Sequence, residues 1–216
     1  MLEIEAFLDI HQRWQAVGYP FDHLVPSLAT AIGSSGDRPA ALADLMGIIL
    51  NDGVRLPVLR IDSLQFARGT PYEPHVANDP NRGKRVLRSE VATALRGALS
   101  QVVDAGTAKR VAGSFKLADG TALAMGGKTG TGDNRIEAMG AGGRMLSSKS
   151  INRTATFVFY IGAHHFGTLT AFVPGASAQH FTFTSALPVQ VLKGMAPLLN
   201  PLLQPGDPAL CLAGKH

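Results

Sequence analysis

The chain has 216 residues, 45% of them hydrophobic and 17% charged, which supports one well-cored domain and argues against disorder. Its 20 Lys and Arg against 16 Asp and Glu leave a formal charge of +4, too small and too scattered to indicate a nucleic-acid partner. Cys211 is the one cysteine, so no intramolecular disulfide and no cysteine-rich zinc site can form.

Residues 1–5 lack the basic-then-apolar pattern of an export signal. No apolar run approaches the roughly 20 residues that span a bilayer. A helix is predicted over residues 3–17, where Ile4, Phe7, Leu8, Ile10, Trp14 and Val17 recur at helical spacing before Gly18 and Pro20. A second begins at Pro39 and carries Leu42, Leu45, Ile48 and Ile49 to the stop signal Asn51-Asp52-Gly53. Residues 54–64 read as extended. Residues 67–84, rich in Pro, Gly, Asn and Arg, read as a surface loop, and the basic run Arg82, Lys84, Arg85 and Arg88 as its solvated end. After Ser89 a third helix is predicted to bury Val91, Leu95, Ala98, Leu99 and Val102 and to end near Gly106.

From residue 111 the period changes. Residues 114–117 and 121–125 flank Asp119-Gly120, a hairpin signal, and residues 154–161 and 167–173 read as an antiparallel pair joined by Ala163-His164-His165-Phe166. A last helix is predicted from Ala186 to Leu199, before a Pro-rich tail. Helices, then antiparallel strands, then a terminal helix make an α+β layout, with an antiparallel sheet flanked by helices. The expected division is a domain over residues 1–200 and a tail over 201–216.

Gly127-Lys128-Thr129 invites a phosphate-loop reading, but that motif needs glycine at the position held by Ala122, and a helix after it. Gly130, Gly132 and Asp133-Asn134 instead predict a break in the chain. The other reading of Lys128-Thr129-Gly130 is the Lys-Thr-Gly strand of serine acyl-transfer enzymes. A bare triplet arises by chance in about one chain in twenty of this length, so the neighbouring sequence has to decide. His164 and His165 have no acidic or cysteine neighbours and read as a solvated turn. Asp133, Asn134 and Arg135 read as turn residues. No metal and no cofactor is implied.

From about Asp22 to about Pro197 the order of features resembles a penicillin-binding protein transpeptidase domain. Arg38-Pro39-Ala40-Ala41-Leu42 through Asn51-Asp52-Gly53 is similar to that family's helix ending in Asn-Gly-Gly. Arg85-Val86-Leu87, Ser89, Leu99, Val102-Val103 and Gly106-Thr107-Ala108 resemble its lead-in to the active-site strand, and Gly127-Lys128-Thr129-Gly130-Thr131 and two further strands follow in the family's order. The implied fold is an incomplete serine β-lactamase and penicillin-binding transpeptidase fold. The implied activity is acyl transfer in peptidoglycan biosynthesis, in which a serine takes the acyl group of a D-alanyl-D-alanine stem peptide and β-lactams mimic that peptide.

On this resemblance Lys128 brings positive charge to the substrate carboxylate, and the Thr129 and Thr131 hydroxyls donate to it. Gly130 lets the two backbones approach. The Thr131 N–H serves as an oxyanion-hole donor. The departure is that no Ser-x-x-Lys occurs anywhere, and the one Ser-x-Asn, Ser150-Ile151-Asn152, falls after the Lys-Thr-Gly instead of before it.

The resulting expectation is a C-terminal transpeptidase fragment, truncated or split, inactive as this chain and completed by an upstream polypeptide that carries the serine. The alternative is a non-catalytic module that binds stem peptide or a partner protein. The parent family works on the periplasmic face of the inner membrane, whereas this chain, expressed alone without an export signal, is expected in the cytoplasm. An unpaired strand edge is expected at residues 168–173.

Overall fold

The computed structural model describes residues 2–33, 35–58, 66–73 and 83–204. Four helices are among them: α1 (Leu2–Ala16), α2 (Pro39–Leu50), α3 (Ser89–Asp104) and α4 (Ala186–Leu199). β1 (Val54–Arg55) and β2 (Lys84–Arg85) form a short antiparallel ladder. β3 (Met125–Met139), β4 (Met145–Ile161) and β5 (His165–Pro174) form an antiparallel sheet in that spatial order. The α+β expectation holds. Most of residues 59–82, which include the second half of the predicted extended segment and most of the predicted loop, lie outside the described residues.

The start and stop of α2 follow from local chemistry. Arg38 is extended and Pro39 occupies the first turn, where its missing N–H costs nothing. At the other end the Gly53 N–H donates to the Ile48 carbonyl at 2.8 Å, from a left-handed backbone with φ 84°. A Cβ on Gly53 would lie 2.3 Å from the Leu87 carbonyl oxygen, so glycine serves both the turn and the close approach of the β2 segment.

α3 occupies its predicted span but turns a different face inward. Ala92 and Val103 are buried, with Leu99 and Val102 partly so, while Val91 and Leu95 remain 42% and 38% exposed. Arg96 explains the rotation. It lies on the Ala92–Leu99–Val103 stripe, and its Nη2 donates to the Ile49 and Leu50 carbonyls and to Asp52 at 2.8 Å, satisfying the C-terminal end of α2. A periodicity count rejects that stripe because it contains an arginine.

The Asp119-Gly120 hairpin forms around a single bridge, Lys116 to Ala122, with Gly120 left-handed and the Thr121 N–H held by Asp119 at 2.8 Å. The bond holds the Asp119 carboxyl below the ordinary carboxylate range. Phe115 is thereby placed, fully buried, in the core.

The predicted break after Gly130 is corrected by the structure. β3 runs through Gly132, Asp133 and Asn134 to Met139, and β4 begins at Met145, well before residue 154. These strand-averse residues are held by partners across the ladder. The Asn134 amide donates to the Asn152 side-chain oxygen at 2.7 Å, Arg135 donates to Ser148 at 2.9 Å, and Asp133 lies 3.8 Å from Arg153. The β4–β5 turn is also tighter than predicted, because His165 and Phe166 already belong to β5.

The sheet lies between two helical layers. On one face Phe157 and Ile161 of β4 pack with Val189, Leu192 and Ala196 of α4 and with Val111 and Phe115. On the other, Val158 and Tyr160 meet Met46, Leu42 and Leu50 of α2 and Leu99 of α3. Period-two alternation along β4 sends these sets to opposite faces.

β5 pairs only with β4 among the described residues. An uncharged edge of this kind is a template for pairing with another chain, so the isolated chain is expected to self-associate through residues 168–173. Size-exclusion chromatography with hydrogen exchange on those amides tests this. A stable monomer with strong protection there contradicts it.

Candidate active-site strand

Sequence and register together place Lys128-Thr129-Gly130-Thr131 in the first half of β3, opposite residues 155–158 of β4. The direction of each backbone group follows from one bond at the end of the ladder. The Gly162 N–H donates to the Ala124 carbonyl at 2.7 Å, and Ala124 faces Gly162 in the register that pairs Met125 with Ile161. Hydrogen-bonded pairs alternate along an antiparallel ladder. Residues 126, 128 and 130 therefore turn their backbone groups to β4, and those of 127, 129 and 131 turn to the side away from it, with Gly127 and Thr129 buried and Thr131 exposed. No strand pairs with that side among the described residues.

The side chains divide the other way. Lys128 and Gly130 share the face of Val158 and Thr156, toward α2 and α3; Thr129 and Thr131 share the face of Phe157 and Ala155, toward α4. Lys128 is exposed and has no carboxylate partner among the described residues. Its ammonium folds over the strand edge and donates to the Thr129 carbonyl at 2.6 Å. Thr129 is buried, with its hydroxyl 2.6 Å from that of Thr107, and the Thr131 hydroxyl accepts the Ser185 N–H at 2.9 Å just before α4. Both threonine hydroxyls are thus tied to the fold, although the Thr131 hydroxyl retains a proton to donate.

The three glycines of this segment differ in what they answer to. A Cβ on Gly126 would lie 2.3 Å from the Tyr160 ring, and one on Gly127 would lie 2.4 Å from the Val158 carbonyl oxygen, so internal packing excludes side chains there. A Cβ on Gly130 would meet nothing within 4 Å. Its bareness leaves open surface beside the strand edge.

A cleft of about 580 Å³ lies between α2, β1 and the β4–β5 turn, lined by Gly47, Arg55, Arg96, His164 and Phe166 among others. None of residues 128–131 lines it. His164 is placed there, and no group of three His, Cys, Asp or Glu side chains is positioned to hold a metal among the described residues.

Sequence reasoning missed Thr107 and Ser185, the partners that orient the two threonines. Gly106-Thr107-Ala108 was legible as a segment leading to the strand, but nothing in it signals a bond to a residue 22 positions on. Replacing Thr107 by valine leaves the buried Thr129 hydroxyl without its partner and is expected to cost about 1–2 kcal/mol, while Thr107→Ser costs less than half of that. Urea unfolding of both variants measures the difference. Equal losses would remove the hydrogen bond as the cause.

The family profile described as the penicillin binding protein transpeptidase domain matches residues 10–145, more than half of the chain. The chain belongs to the penicillin-binding protein transpeptidase domain family. Among solved structures, it is similar to penicillin binding protein 3 from Mycobacterium tuberculosis complexed with aztreonam, at 19% identity and a TM-score of 0.53, covering 94% of this chain and 48% of that one. It is also similar to the D,D-transpeptidase domain of a peptidoglycan glycosyltransferase from Eggerthella lenta, at 19% identity and a TM-score of 0.49, covering 79% and 34%. A peptidoglycan synthetase from Bifidobacterium adolescentis gives 21% identity and 0.43, covering 77% and 27%. This transpeptidase-family chain therefore spans less than half the length of each of these structures. No curated protein matches it.

Proposed function

We propose that this chain supplies the substrate-binding strand of a peptidoglycan D,D-transpeptidase domain and is inactive by itself, because the serine nucleophile must come from another polypeptide segment. The observation that carries the reading is the edge of β3 away from β4, where the N–H and C=O groups of Gly127, Thr129 and Thr131 have no strand opposite them among the described residues; Thr131 is exposed there, while Gly127 and Thr129 are buried. A stem peptide laid antiparallel along this edge would take those groups as partners. The Thr131 N–H would then face the carbonyl oxygen that becomes negative during acyl transfer. Lys128, released from the Thr129 carbonyl, would supply the positive charge for the peptide's terminal carboxylate, and the remaining Thr131 proton would add one donor.

Nucleophilic catalysis needs a serine activated by an adjacent base. None of this chain's serines stands three residues before a lysine. Among the described residues no helix is long and apolar enough to cross a membrane.

The test is to purify the chain with and without a co-expressed transpeptidase segment that carries Ser-x-x-Lys, and to measure stem-peptide binding by calorimetry and acylation by fluorescent penicillin. Acylation restored only in the complex supports the proposal. Stem-peptide binding without acylation in either sample would favour the non-catalytic module, and neither signal would refute both readings.

A further inference from the structure

Beyond the sheet, β3 and β4 continue as a two-stranded ribbon, residues 133–139 against residues 145–153, closed by the Gly140 N–H donating to the Arg144 carbonyl at 2.8 Å. Every residue from Asp133 to Lys149 is exposed except Gly140, which is half-buried. The ribbon nevertheless ends in large apolar side chains. Ile136, Met139, Met145 and Leu146 are 62%, 57%, 52% and 61% exposed. Single exposed apolar residues are ordinary, but a cluster at the end of a projecting element marks a surface meant to be covered.

The arrangement of the cluster selects the kind of cover. Ile136 and Met139 are an odd number of residues apart on β3 and so project from opposite faces of the ribbon. Register shifts between Asn134 and Arg135 and between Ala138 and Met139 leave Ile151 and Leu146 of β4 as the extra residues, outside the regular pairs. Met139 and its register partner Met145 therefore share one face near the tip and Ile136 stands on the other, so a protein partner would have to wrap both faces. A lipid interface surrounds a projecting tip without being shaped for it.

The charges fit the same cover. Residues 137–149 include Arg144 and Lys149 against one acidic residue, the exposed Glu137. Neither cation has an ion-pair partner among the described residues, whereas Arg135, nearer the sheet, is held by Asp133 at 3.2 Å. Long basic side chains beside inserted apolar groups can reach back to the headgroup level. We propose that the β3–β4 ribbon tip docks on an anionic lipid surface, with Met139, Met145 and Leu146 inserted and with Arg144 and Lys149 at the headgroups. The inference is independent of the substrate assigned to the strand edge.

Flotation of the full chain through a density gradient with vesicles tests it, because aggregated protein stays at the bottom. The chain should float with vesicles containing phosphatidylglycerol and not with pure phosphatidylcholine. The Met139→Ser, Met145→Ser, Leu146→Ser triple variant should reduce the bound fraction about tenfold or more. The Arg144→Glu, Lys149→Glu pair, which leaves the apolar tip intact, should reduce it several-fold and flatten its salt dependence. Circular dichroism checks that each variant is folded; if the triple variant is not, the charge-reversal pair decides. A wild-type chain that stays at the bottom, equal flotation on neutral vesicles, or folded variants that float like wild type would each overturn the proposal. So would a wild-type dimer that the serine variant dissolves while vesicles capture neither, since a second copy would then be the cover.

Discussion

Purified alone and incubated with a fluorescent penicillin, the chain is expected to carry no covalent label after denaturation. The acyl-enzyme requires a serine oxygen made nucleophilic by a neighbouring base, and no serine in the chain has lysine at the third following position. Loss of the nucleophile in a serine hydrolase lowers turnover on the order of a millionfold, so the expected signal is none, not a weak one. Ser147, Ser148 and Ser150 are the serines nearest in sequence to Lys149. In the ribbon, however, Ser150 is buried with its hydroxyl unpartnered among the described residues, and Ser148 accepts from Arg135. Neither is poised against a base. Stoichiometric label mapped to any of these serines would reverse the reading.

Replacing Phe157 by alanine is expected to cost about 3–5 kcal/mol, a large part of the roughly 5–15 kcal/mol that holds a domain folded. Phe157 is fully buried, its ring centroid lies 5.6 Å from that of Phe159, and it belongs to the cluster that joins the sheet to α4. It also stands directly opposite Thr129 in the ladder, and its ring lies 2.6 Å from where a Cβ on Gly127 would be. The cavity left by Phe157→Ala therefore opens beneath the proposed binding strand, so stem-peptide binding should fall together with stability. Phe157→Leu, which keeps most of the volume, should cost no more than about 1.5 kcal/mol. Urea unfolding followed by circular dichroism gives both values. An alanine variant that loses under about 1 kcal/mol would show that this ring does not organise the core.

The helices were legible because their signals are local. Pro39 and Asn51-Asp52-Gly53 bracket α2 with residues that act on their own backbone, and the predicted span from Ala186 to Leu199 is that of α4. The antiparallel pairing of residues 154–161 with 167–173 was also legible, because β-branched and aromatic runs joined by a few residues have few alternatives. The continuation of β3 through Gly132-Asp133-Asn134 was not. Each of those residues disfavours a strand locally, and the compensation comes from Asn152 and Arg153 on the partner strand. The inward face of α3 escaped for the same reason, since the half-buried Arg96 turns toward the core side only because the end of α2 is there to accept its guanidinium.

By itself, the amino-acid sequence determined the kinds of element, their order and the presence of a Lys-Thr-Gly strand without its serine, because propensity, punctuation and motif spacing reside in neighbouring residues. The tertiary structure decided orientation. The bond from Gly162 to Ala124 sets which backbone groups of β3 point away from β4, and Thr107 and Ser185 set where the Thr129 and Thr131 hydroxyls go. A shift of one residue in that register would exchange every group that faces β4 for one that faces away, and the partners that fix the register lie tens of residues away along the chain.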